Sequence, residues 1–380
     1  MSPSRACAAV LLLGACGCQM PPAGWLYTTR VGPHSAVVAW SGRGGALDCR
    51  KAGGASVPAE LTLRWRGVST ARLTGLEPMT RYRCLLTTLD ARPRAVRFRT
   101  APASGTRFRF AVVGDSGDLS PAASALARRI LAGRPDFLIH LGDFAYPNGT
   151  ARQLDRRFFR PYRRLLERVP LYPTPGNHDM SSRSAYGLAF PPLPDEPRSG
   201  KSYAFAWAGA ELIAVSSPEV AASQATTTAW LEERLSHLPR EAWRIVFLHE
   251  PPYSPGEKRI TPGIRAALAP ILQAAHVDLL LAGHEHLYAR SEPICDVVPD
   301  SRLVEVISGG GGADLGEGRE RRRANFPVVE SRTHYVRVTV SADVVELRAI
   351  GTDGRTFDRV RRPRGGGPCR AEGWPAALER

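Results

Sequence analysis

The sequence predicts an all-β sandwich followed by a larger α/β domain of helix and sheet layers. Three observations predict it. At 380 residues the chain exceeds what one ordinary core organises. Residues 25–100 carry short alternating apolar runs punctuated by Gly and Pro. From Arg107 the rhythm changes to buried strands alternating with helices, the pattern of a layered sheet.

In the first part the runs are "HSAVVAWS" (34–41), "AELTLRW" (59–65), "TARLTGL" (70–76), "RYRCLLTTL" (81–89) and "AVRFRT" (95–100), which set the sandwich at 24–101. "LTGLEPMTRYRC" resembles the late-strand signature of fibronectin type III domains, a Leu–Pro–Thr–Tyr series that pins a corner. "APASGT" (101–106) reads as a linker. The second domain is set at 107–362. Its strands are "RFRFAVVGD" (107–115), "FLIHLGD" (137–143), "SYAFAWAG", "ELIAVSS", "WRIVFLH" and "VDLLLAG". Helical spacing marks "PAASALARRILAG" (121–133), "ARQLDRRFFRPYRRLLERV" (151–169, interrupted at Pro161), "TTTAWLEERLSHL" and "GIRAALAPILQAA". Residues 333–360 read as antiparallel strands, and 363–380, with "GGGP", as a loose tail. No internal repeat is visible.

The N-terminus, residues 1–18, reads as a targeting segment. Arg5 supplies a positive start, Ala6–Leu13 an apolar stretch, and "LGAC" at Leu13–Cys16 resembles a bacterial lipobox whose cysteine is acylated. An ordinary secretory signal cleaved nearby is the other reading. The apolar run is far shorter than the roughly 20 residues that span a bilayer. An exported bacterial lipoprotein, periplasmic or at the cell surface, is expected. Cysteine usage fits an oxidising compartment, with Cys49–Cys84 and Cys295–Cys369 as the expected bridges. Parity would make Cys18 rather than Cys16 the acylated residue, so that choice stays open.

The formal net charge of +15 favours anionic partners: phosphate esters, lipopolysaccharide or nucleic acid. The only lysines are Lys51, Lys201 and Lys258, and this arginine skew also fits the coding bias of a GC-rich genome. No specific nucleic acid partner is expected.

Five polar clusters follow apolar strands: "GDSGD" (114–118), "GDFAY" (142–146), "GNHD" (176–179), "VFLHEPPY" (246–253) and "GHEH" (283–286). Open sheets collect ligands beyond the carboxyl ends of their strands, so the clusters are expected to converge. Asp115, Asp143, Asn177, His249, His284 and His286 mix oxygen and imidazole donors suited to first-row metals. Six such groups exceed the needs of one tetrahedral zinc and suit two metals sharing a carboxylate.

This ordered set resembles the purple acid phosphatases of the metallophosphoesterase superfamily, over about residues 107–350. The resemblance implies hydrolysis of phosphate esters, foremost phosphomonoesters, by a hydroxide held at a dinuclear centre of Fe(3+) and a divalent Fe, Zn or Mn. It assigns Asp115, Tyr146 and His286 to one metal, Asn177, His249 and His284 to the other, and Asp143 as the bridge. Tyr146 would be a phenolate ligand to ferric iron, and a highly charged ion favours that anion. His178 would bind phosphate or protonate the leaving group, and Asp179 would orient His178 or serve a turn.

Where relatives usually carry a further histidine, this chain has Lys258 and Arg259, read as phosphate-binding cations or a solvated loop. That departure keeps diesterase action as an alternative. "ELIAVSS" also lacks a frequent terminal Asp. A non-catalytic surface lipoprotein is the rival from another class. Among the remaining groups, His140 reads as a core histidine, and His34, His237 and His276 as surface. "ISGGGGADLG" (307–316) lacks the Lys-Ser/Thr of a P-loop and reads as a flexible turn near the site.

Overall fold

The computed structural model describes residues 21–192, 201–222, 225–255, 261, 263–315, 325–366 and 369. The N-terminal signal, Cys16, Cys18, Lys258, Arg259 and residues 370–380 therefore lie outside the described residues.

The first eight strands are β1 (Leu26–Thr29), β2 (Ala36–Ser41), β3 (Ala46–Lys51), β4 (Ser56–Val57), β5 (Ala59–Trp65), β6 (Val68–Leu73), β7 (Arg81–Thr87) and β8 (Arg94–Arg99). They form two four-stranded sheets, β1-β2-β6-β5 and β4-β3-β7-β8. Alternation explains β7: Tyr82, Cys84 and Leu86 point inward while Arg81, Arg83 and Thr87 face water. Strand β3 was not anticipated, because only Cys49 of its six residues is buried and its apolar signal is weak. It is held by pairing to β7, where Cys49 and Cys84 lie directly opposite and are bridged.

The α/β domain follows with β9 (Phe108–Val113), α1 (Pro121–Ala132), β10 (Phe137–His140), α2 (Ala151–Leu154), α3 (Arg160–Leu166), β11 (Leu171–Pro173), α4 (Tyr186–Ala189), β12 (Tyr203–Trp207) and β13 (Ala210–Ala214). Next come α5 (Ser217–Ala221), α6 (Ala225–Ser236), β14 (Trp243–Phe247), α7 (Ile264–Ala274), β15 (Leu279–Ala282), β16 (Tyr288–Arg290) and β17 (Val304–Ser308). The last strands are β18 (Val328–Glu330), β19 (His334–Val340), β20 (Val344–Gly351) and β21 (Thr356–Pro363). One sheet runs β11-β10-β9-β19-β20-β21 and the other β12-β13-β14-β15-β17-β16-β18.

The inner faces of the two sheets share one core. Phe110 stacks on Phe137 at 4.9 Å, and Trp207 lies 4.7 Å from Phe137. Full burial of a ring such as Phe137 contributes about 2–3 kcal/mol. Helices α1–α3 cover the β11-β10-β9 part of the first sheet's outer face and α5–α7 the outer face of the second, giving helix–sheet–sheet–helix layering. The interruption expected at Pro161 is resolved by a wide turn at Asp155–Phe159, where Arg160 N–H reaches back to Asp155 O. Pro161 then falls in the first turn of α3, where its missing N–H costs nothing.

The sandwich and the α/β domain are packed together. Trp25 stacks on Phe159 at 4.5 Å, Tyr27 OH donates to Ala189 O at 2.7 Å, and Val31 N–H donates to Tyr172 OH at 2.9 Å. A second disulfide joins Cys295 to Cys369, tying part of the segment read as a loose tail. No helix of the described residues is long and apolar enough to cross a membrane.

Candidate metal centre

The parallel order of β9, β10 and β11, and of β13, β14 and β15, brings the polar clusters to one edge. Asp115 leaves β9 after Gly114, Asp143 leaves β10 after Gly142, His249 leaves β14, and His284 leaves β15 after Gly283. Three of these residues hold positive φ: Asp115 at 58°, Asp143 at 54° and His284 at 68°. Non-glycine residues avoid this region, at about 1–3 kcal/mol each, so the surroundings enforce it. Gly176 shows how tightly: a Cβ there would lie 2.2 Å from Asp143 Oδ1.

Seven predicted donors form two groups with one carboxylate between them. In the first, Tyr146 OH lies 3.2 Å from Asp115 Oδ1 and 3.0 Å from His286 Nε2, which is 3.5 Å from Asp115 Oδ1. In the second, His249 Nε2 lies 3.0 Å from Asn177 Oδ1 and 3.3 Å from His284 Nδ1. Asp143 Oδ2 sits 3.6 Å from His249 Nε2. Donor atoms of Asp115, Asp143 and His249, all buried, lie within 4.8 Å of one another and can hold a metal ion.

Backbone carbonyls set the imidazole tautomers. His249 Nδ1 is 2.8 Å from Leu141 O, and His286 Nδ1 is 2.7 Å from Asp314 O, so each Nδ1 carries the hydrogen and donates it. Each Nε2 lone pair then points into the site, the usual arrangement behind a metal-ligating histidine. His249 Nε2 consequently faces the oxygens of Asn177 and Asp143, an arrangement that needs a proton or a cation. Burial opposes charging His249, but the Asp143 and Asp115 carboxylates outweigh it and raise its pKa. Asp143 Oδ2 is buried with no hydrogen-bond donor among the described residues. Such an orphaned oxygen is costly unless a cation meets it. Burial, and then the charges of Asp115 and Asp143, drive the Tyr146 pKa upward. The donor set therefore fits a cationic group and is strained without one.

Of the two roles expected for Asp179, the structure favours the one in a turn. Its carboxylate does not orient His178; it accepts from Asp143 N at 2.6 Å, Phe144 N at 3.1 Å and Gly176 N at 2.9 Å, lacing two site loops together. His178 is held instead through Nδ1, 2.7 Å from Pro147 O, while its own N–H donates to Asp143 Oδ1 at 3.1 Å. A helix-like turn at His178–Met180 places the imidazole at the rim. Lys258 and Arg259 lie outside the described residues.

The glycine run at 309–312 is likewise not the flexible turn expected. It is a close-packed ledge: a Cβ at Gly309 would lie 2.1 Å from Glu285 O and 2.8 Å from Asp115 Oδ2. Ala313 N–H donates to Asp115 O at 3.0 Å, and Asp314 O aligns His286. Sequence reasoning had no role for this ledge; four consecutive glycines directly after a buried strand were the available signal. His140 is the core histidine expected: fully buried, with Nε2 2.7 Å from Ser116 Oγ, its pKa pushed down to about 3 by burial.

Comparison with known proteins agrees with this geometry. Residues 108–288 match the calcineurin-like phosphoesterase family. The chain is 29% identical to phosphoenolpyruvate phosphatase of Allium cepa, over 50% of this chain and 43% of that protein. It is 28% identical to purple acid phosphatase 21 of Arabidopsis thaliana, over 62% of this chain and 56% of that protein. The chain thus spans about half the length of the curated relatives it matches. The structure of purple acid phosphatase PPD1 from Lupinus luteus superposes with a TM-score of 0.77 at 18% identity, covering 95% of this chain and 78% of that one. The fold is that of a purple-acid-phosphatase-like, calcineurin-type metallophosphoesterase with an N-terminal all-β extension.

Proposed function

We propose that this protein hydrolyses phosphate esters, foremost phosphomonoesters, at a dinuclear metal centre. One observation carries the reading: the lone pairs of His249, Asn177 and a donor-less Asp143 oxygen converge at a site floored by the buried Asp115, Asp143 and His249, beside the Asp115–Tyr146–His286 group. Asp115, Tyr146 and His286 would hold one ion, Asn177, His249 and His284 the other, with Asp143 between them. Tyr146 argues for ferric iron at the first position, and a divalent Fe, Zn or Mn suits the imidazole-rich second. When bound, such a metal pair supplies Lewis acidity to phosphoryl oxygens and a water activated near neutral pH.

The chain's own groups supply the rest. His178 stands at the rim, with its Nδ1 hydrogen committed to Pro147 O. It can therefore donate from Nε2 only as the imidazolium. Asp179 and the glycine ledge keep the donors preorganised, so little reorganisation accompanies the chemistry. Lys258 and Arg259 would bind phosphate oxygens or an anionic substrate tail. An exported, lipid-anchored location is part of the proposal, supported by the "LGAC" segment and by two disulfides suited to an oxidising compartment.

The test is reconstitution of purified protein with iron, zinc or manganese, followed by assay on chromogenic mono- and diesters. Monoester cleavage that depends on metal, at about two ions per chain, is expected. Fully loaded protein that cleaves neither ester class would sink the proposal and favour a binding lipoprotein.

A further inference from the structure

The first sheet of the α/β domain has an outer face that its helices cover only in part. Ala111 and Val113 of β9 pack with α1, as do Tyr335 of β19 and Ile350 of β20, which are direct partners. The inward residues of the same strands, Val336, Val338, Leu347 and Ala349, belong to the intersheet core. Alternation therefore puts Arg337, Arg348 and Arg359 on the helix side, beyond the helices' reach. Register makes them neighbours: Ala111 pairs with Arg337, Arg337 with Arg348, and Arg348 with Arg359. The adjacent row reads Arg109, Thr339, Glu346, Arg361.

Five guanidinium groups thus stand on one face, with Glu346 the carboxylate within the two rows. Glu346 bonds Arg348 and Arg359 and lies 4.0 Å from Arg361 Nε. Arg359 and Arg361 remain 53% and 65% exposed, so their charge is available to a partner. Like charges placed directly opposite in a sheet destabilise it. A row of three in-register arginines therefore gains from an external anion.

We propose that this arginine face docks the protein on an anionic lipid surface. Several guanidinium groups side by side on one face can engage several headgroup phosphates at once, each bidentately. Nucleic acid fits less well. Ala111 and Thr339 are the uncharged side chains of the two rows, so no ring offers a base-stacking platform. The net charge of +15 supports long-range attraction to such a surface.

Vesicle co-sedimentation tests the proposal. The full chain carrying Cys16→Ser and Cys18→Ser removes any acyl anchor. This protein is expected to bind phosphatidylglycerol–phosphatidylcholine vesicles, to be released by salt, and to ignore phosphatidylcholine alone. Each arginine near the surface strengthens binding about fivefold, so Arg337→Gln/Arg348→Gln/Arg359→Gln should weaken it about a hundredfold. Arg64→Gln/Arg66→Gln/Arg83→Gln removes the same charge from the sandwich and should leave binding nearly intact. Should the sheet triple variant fail to fold by circular dichroism, Arg359→Gln/Arg361→Gln on the outer strand takes its place, with about a 25-fold loss expected. Parent-like binding by the sheet variants, equal loss in the sandwich control, or tighter binding of duplex DNA than of vesicles overturns the proposal.

Discussion

The carboxylate of Asp179 accepts the main-chain N–H of Asp143 at 2.6 Å, so the last residue of "GNHD" fixes the backbone of the carboxylate lying between the two donor groups. Two further amides, from Phe144 and Gly176, share the same acceptor. Asp179→Asn keeps the shape but turns an NH2 group against one or more of these N–H donors. Stability should fall by about 2–4 kcal/mol, and metal content with it. Denaturant unfolding and metal analysis of the purified variant check both. Parent-like values in both would mean that the three bonds do not govern the site.

Tyr146 OH lies between Asp115 Oδ1 and His286 Nε2. In iron-loaded protein, Tyr146→Phe is expected to abolish visible phenolate-to-iron absorption. An unchanged spectrum removes Tyr146 from the donor set.

His178 is the rim imidazole whose Nδ1 is anchored on Pro147 O. His178→Ala should reduce turnover by about 100-fold, the typical contribution of a positioned acid, with metal content still near that of the parent. Loss of metal would instead make His178 a ligand.

His334 is fully buried, its ring edge-on to Tyr288 and Phe357, and its Nδ1 bonded to Arg332 O. Burial pushes its pKa down from 6.5 to about 4. The unfolded chain therefore takes up a proton that the folded one resists. Its contribution is complete above pH 6.5 and declines as pH falls toward 4, by on the order of 3 kcal/mol. In His334→Phe, unfolding free energy measured across that interval should show a correspondingly shallower decline. A slope identical to the parent's would rule His334 out as its source.

The donor residues were legible because each lies within a few residues after an apolar strand, several of them behind a glycine, and because open sheets gather such ends. The groups that aim them were not. Leu141 O, Asp314 O and Pro147 O orient three imidazoles, and a backbone carbonyl has no residue type to announce it. For Asp179 the sequence left two roles open, a partner of His178 or a turn residue; the turn at His178–Met180 separates the two side chains, and the Asp179 carboxylate serves the loops. Likewise, composition showed the positive charge, but only strand register reveals that Arg337, Arg348 and Arg359 stand side by side. Strand β3 escaped notice for a related reason: pairing with β7, not its own pattern, makes it a strand.

The stacking of Trp25 on Phe159 bears on how the molecule comes apart. Together with the Tyr27–Ala189 and Val31–Tyr172 hydrogen bonds, it makes the sandwich part of the wall that supports the helices behind β9 and β10. Cutting the chain before Phe108 would leave an aromatic surface open to water, so the α/β domain on its own should aggregate. Heating the intact protein should accordingly give one endotherm, with both halves melting together.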